Sequence, residues 1–100
     1  MNGISDVFLA IAQERERQNN KFGPQNHSPM EWLPILMEEV GEAAKAALEP
    51  YFQAKGYADK YDGTMSLFEF RKEMIQVAAV AVAIVESLDR NELADAYGKA

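Results

Sequence analysis

The 100-residue chain reads as all-α. Three observations predict that class. Two Ser-x-x-Glu capping boxes stand at Ser28–Glu31 and Ser66–Glu69. Apolar residues recur at three- and four-residue intervals rather than alternating, and Gly, Asn and Pro gather between those stretches. The expected architecture is an antiparallel helical bundle of four helices in a single domain, residues 1–100, completed by oligomerisation.

The elements follow in order. Ser5 can cap a first helix to about Gln18, with Val7, Phe8, Ile11 and Ala12 on one face and the run Glu14-Arg15-Glu16-Arg17 on the other. Asn19, Asn20, Gly23 and Pro24 predict a loop. The box Ser28-Pro29-Met30-Glu31, with proline at the first helical position, starts a second helix. Glu49-Pro50 is expected to end it near Leu48, because the residue before a proline avoids the helical region. Residues 51–65 carry Gly56 and Gly63 and read as a connection. Ser66-Leu67-Phe68-Glu69 opens a third helix to about Leu88, and Asp89 with Glu92 predicts a short fourth ending near Gly98. From Met74 to Val85 the third helix is apolar almost all round, Gln76 being its only polar side chain, so it must be enclosed by protein. That stretch is too short to span a bilayer, which needs about 20 residues.

Composition narrows the function. A hydrophobic content of 48% in so short a chain makes one domain with a modest core, so burial against a second copy is expected, in a homodimer or homotetramer. A net charge of −6 without a Lys/Arg cluster argues against a nucleic-acid polymer as partner, and the Glu14–Arg17 run reads as a solvated helix face. The absence of cysteine removes disulfide and thiolate chemistry, and the single His27 weakens any zinc or histidine-triad reading. The first residues, Met1 to Ser5, lack the basic and apolar regions of a secretory signal, so a cytoplasmic location is the expectation, with no membrane association.

The informative exception is acidic. On helical wheels Trp32, Leu36, Val40, Ala43 and Ala47 form the apolar stripe of the second helix, and Glu39 falls roughly 60° from its centre with Glu42 further round the same flank. Glu38 points nearly away. In the third helix Glu73 falls roughly 40° from the stripe of Phe70, Val77, Ala81, Ile84 and Leu88, with Gln76 beside it. A carboxylate so close to apolar neighbours must be neutralised, ion-paired or bound to a metal, since an unpaired buried charge costs several kcal/mol.

These segments resemble a known family. Leu36-Met37-Glu38-Glu39-Val40-Gly41-Glu42 and Arg71-Lys72-Glu73-Met74-Ile75-Gln76-Val77 are similar to the paired helix motifs of the MazG-like all-α nucleoside triphosphate pyrophosphohydrolases. The stretch from Glu14 to Gly23, with Trp32, looks like the first helix and loop of short, phage-type members. The resemblance implies a magnesium site, with manganese as a possible substitute, built from Glu39, Glu42, Glu73 and Gln76; the family usually has aspartate at the last position. It implies a hydrolase that cleaves a nucleoside triphosphate to monophosphate and pyrophosphate, with Glu38 or Glu39 as the catalytic base. Lys21, Arg17 and Arg15 are the candidates for triphosphate contacts and Trp32 for stacking on a base. The alternative is a catalytically degraded helical module that binds nucleotide or a protein partner.

Overall fold

The computed structural model describes residues 3–54 and 67–91, with the side chains of residue 50 and residues 52–54 excepted. They form three helices, α1 (Ile4–Phe22), α2 (Pro29–Ala54) and α3 (Leu67–Arg90). The all-α class is therefore correct. The expected fourth helix falls mainly on residues outside the described set; of its residues, Asp89 and Arg90 form the last turn of α3 and Asn91 a turn.

The helix ends depart from expectation for identifiable reasons. α1 starts from Gly3 without a side-chain cap, which puts Ser5 inside the first turn. It runs on through Asn19 and Asn20 because the stop comes later, at Gly23. There φ is +72°, which favours glycine, and the Gly23 amide donates to the Asn19 carbonyl at 2.8 Å. α2 begins where the capping box predicts. The Ser28 amide donates to Glu31 Oε1 at 2.8 Å, and the Ser28 carbonyl accepts from the Trp32 amide at 2.9 Å. Its far end does not stop at Glu49-Pro50: the helix continues to Ala54. A proline inside a helix removes one backbone donor and crowds the carbonyl four residues earlier, which weakens the helix without necessarily ending it. Residues 51–54, expected in a connection, belong to this last turn, and the rest of that connection lies outside the described residues, as does the Ser66 cap.

Packing centres on α3. α2 and α3 lie antiparallel, with Arg90 at the end of α3 fastened beside the start of α2: Nη2 donates to the Gln25 carbonyl at 3.0 Å and to Asn26 Oδ1 at 2.9 Å. Their contact is made of small residues, Ala43 and Ala46 on α2 against Ala79, Val80, Ala83 and Ser87 on α3, with Trp32 filling the open end at 2% exposure. Small side chains let the backbones approach closely and leave Trp32 as the largest buried group. α1 packs on α3 and not on α2, and none of its residues is buried. It turns Ala10, Ile11, Glu14, Arg15 and Gln18 inward, while Val7, Phe8 and Ala12, expected on the core face, are exposed. Among the described residues α3 is only partly enclosed, since Met74, Val82 and Val85 are exposed. No helix among the described residues is long and apolar enough to cross a membrane.

Candidate functional site

Where the three helices meet they enclose a cleft of about 350 Å³, within the size range of small-molecule sites. Its walls bring together Arg17 and Lys21 from α1, Trp32 and Glu39 from α2, and Gln76 from α3. Five residues singled out in the sequence thus share one cavity, although they come from three separate helices.

Glu39 is the electrostatic centre. It is half-buried, and burial together with the negative charges of Glu73, Glu42, Glu38 and Glu14, in that order, pushes its carboxyl above the ordinary range. Carboxylates from all three helices therefore act on Glu39. Glu73 is half-buried like Glu39, whereas Glu38 and Glu42 are exposed, and of these four Glu39 alone lines the cleft. Among the described residues no three of them stand in ligand geometry around a common point. They form a field of oxygen donors on long side chains; among the described residues no cation is paired with Glu39, and the neutral amide of Gln76 lines the same cleft. An all-oxygen, multiply negative set of this kind suits magnesium rather than zinc or copper.

Glu14 is the site residue that sequence reasoning missed. It accepts from Arg17 at 2.9 and 2.6 Å through two donors and from Gln18 at 3.2 Å. The Arg17 hydrogen bonds hold its carboxyl below the usual range, against a partial desolvation, with a smaller contribution from Lys72. The signal lay in the Glu14, Gln18, Lys21 spacing, which places all three on one helical face. Glu14 and Arg17 also form the wall between this cleft and a neighbouring groove lined by Arg71, Lys72 and the exposed ring of Phe68. Two further cations thus stand beside the carboxylates.

Two candidates are placed differently from the rest. Arg15 points to the other side of α1, where Nε donates to Glu86 Oε1 at 2.8 Å and Nη2 stands 2.6 Å from the same oxygen in an ion pair, tying α1 to α3 away from the cleft. Trp32 lines the cleft as part of its buried floor, with the His27 ring edge-on at 4.7 Å. Its Nε1–H is buried and has no hydrogen-bond partner among the described residues, an unpaired donor on a cavity-lining residue.

No protein-family model, curated protein or solved structure matches this chain.

Proposed function

We propose that the chain hydrolyses a nucleoside triphosphate, a deoxynucleotide above all, to the monophosphate and pyrophosphate, with magnesium held by Glu39, Glu42 and Glu73. The observation that carries the reading is the mutual repulsion of carboxylates from all three helices around Glu39, in a cleft whose opposite wall supplies Arg17 and Lys21. Clustered negative charge destabilises a fold unless a cation relieves it, and a cation so held attracts polyphosphate. Bound there, magnesium would screen the phosphoryl oxygens and orient the chain of phosphates.

The remaining work falls to the protein. Lys21 and Arg17, with Arg71 and Lys72 across the Glu14 wall, balance the charge of the triphosphate. Glu39, which lines the cleft, or the exposed Glu38 one residue before it is the base, whichever keeps an oxygen free of the metal. That base takes one proton from a water that attacks the α-phosphorus; the bond to the bridging oxygen breaks, and pyrophosphate leaves. Assembly into a homodimer or homotetramer belongs to the same reading, since apolar residues of α2 and α3 such as Met37, Met74 and Val85 are exposed among the described residues.

The test is pyrophosphate release from a panel of deoxynucleoside and ribonucleoside triphosphates with magnesium or manganese. Turnover of at least one is the expected result. Silence across the panel, with nucleotide still bound, would favour the non-catalytic module. Gln76→Asp adds a charge beside Glu39 and should tighten magnesium binding about tenfold in a calorimetric titration. Unchanged affinity would remove position 76 from the site.

A further inference from the structure

The cleft and the groove beyond the Glu14–Arg17 wall follow one another along α3. Phe68, Arg71, Lys72 and Ile75 line the groove, and Gln76, Val80 and Ala83 line the cleft. Each cavity measures about 350 Å³, and Glu14 and Arg17 belong to both. From Phe68 to Ala83 the helix advances roughly 22 Å. One elongated ligand can therefore lie in both cavities, crossing beside Arg17, whose side chain is 55% exposed.

The chemistry of the groove says what its end of that ligand is. Arg71 and Lys72 form no ion pair among the described residues. With Arg17 set against Glu14, they leave the groove positive in a chain whose net charge is −6. Phe68 stands three and four residues before these two cations, on the same face of α3, and it is 85% exposed. A run of phosphates accounts for the cations but gives the ring no task. An apolar peptide would match the ring and leave both cations facing it. A base carried on phosphates accounts for all three, because bases stack on exposed aromatic faces while Arg and Lys take the phosphate oxygens.

We propose that the protein accepts dinucleoside polyphosphates. One nucleoside lies in the cleft, the phosphate chain crosses the Glu14–Arg17 wall toward Arg71 and Lys72, and the second base stacks on Phe68. The inference rests on the hydrolytic reading of the cleft and widens its substrate class. Water attacks the α-phosphorus of the nucleoside in the cleft and gives one proton to the base, and the bond from that phosphorus to the α–β bridging oxygen breaks. A dinucleoside tetraphosphate then yields a nucleoside monophosphate and a nucleoside triphosphate, the latter leaving where pyrophosphate would. A nucleoside triphosphate has no second base, so it leaves Phe68 unused.

The experiment is a calorimetric titration of the full chain, with magnesium, by dinucleoside tetraphosphates and by the matching nucleoside triphosphates. Both carry methylene in place of the α–β bridging oxygens, so that nothing turns over. For at least one base the dinucleotide is expected to bind about tenfold tighter or more. Phe68→Ala, at an exposed position, should keep the far-ultraviolet circular dichroism, erase that margin and leave triphosphate affinity within about twofold of wild type. Phe68→Trp should keep the margin. Dinucleotides that bind no tighter than triphosphates for every base overturn the inference, as does a margin that survives Phe68→Ala. Equal weakening of both ligands by Phe68→Ala assigns the ring to the single base of an ordinary nucleotide and overturns it too. The two readings fail separately when the ordinary, cleavable ligands are supplied. Pyrophosphate release from triphosphates without any dinucleotide margin sinks this inference alone, whereas a Phe68-dependent margin without product from either ligand upholds the ligand class and sinks the hydrolytic reading.

Discussion

Replacing Trp32 with alanine should cost about 3–5 kcal/mol and lower the melting temperature by ~15 °C or more. Trp32 is the one large side chain fully buried among the described residues, and the α2–α3 contact around it is built from alanines, valine and serine. Helices held together by such small residues cannot close over the space an indole leaves, so the cavity persists and the full penalty is felt. A domain of this size has a total stability of about 5–15 kcal/mol, so much of it would be lost. Trp32→Phe should recover most of the deficit. Thermal unfolding followed at 222 nm decides the matter: a shift of only a few degrees for Trp32→Ala would show that the core lies elsewhere. Phe8→Ala is the control, since that ring is exposed on α1.

Glu39→Gln should abolish magnesium-dependent turnover, by about a hundredfold or more, while raising the stability of the metal-free protein. The two effects share one cause. Burial and the surrounding carboxylates raise the folded-state pKa of Glu39 above its unfolded value near 4.5. The folded protein therefore holds its proton more tightly than the unfolded chain. Stability falls as pH rises from that unfolded value to the raised one, and the penalty is complete above it. Glutamine removes the charge, so the variant should melt higher than wild type at neutral pH and equal it near pH 4, where Glu39 is protonated. Glu14 has the opposite sign. Its hydrogen bonds from Arg17 hold the folded pKa below 4.5, so it stabilises at neutral pH and the contribution fades as pH falls through the lowered value. Melting curves between pH 3.5 and 8 separate the two. A Glu39→Gln protein that still releases pyrophosphate at the wild-type rate sinks the catalytic role of this residue.

Much of this was legible in the sequence because local chemistry decided it. The box at Ser28 needs only residues three apart, and it fixed the start of α2. Glu39 and Glu73 could be placed near apolar stripes from periodicity alone, and both prove half-buried. Other features depend on tertiary context. Pro50 was read as a stop, but a long helix packed over much of its length can tolerate one missing backbone bond. Glu14 and Arg15 looked like a solvated run because four alternating charges carry no apolar signal, yet each finds a partner that turns it inward. Val40 and Ala47 were assigned to the inner stripe of α2, and both are exposed. A helix with apolar residues on more than one side defeats a single-stripe reading, since periodicity alone does not say which side meets α3.

The attachment of α1 bears on how the cleft is held. With no fully buried residue and, among the described helices, contact to α3 alone, this helix is the part of the described fold most easily lifted away. It also contributes Arg17 and Lys21, and Glu14 beside them. The basic jaw of the cavity therefore rides on the element with the weakest grip, while the acidic jaw is bolted to the α2–α3 pair. Partial undocking of that single rod would expose Glu39, and its return would bring the two cations back, so access to the cavity is expected to follow the stability of one helix–helix contact.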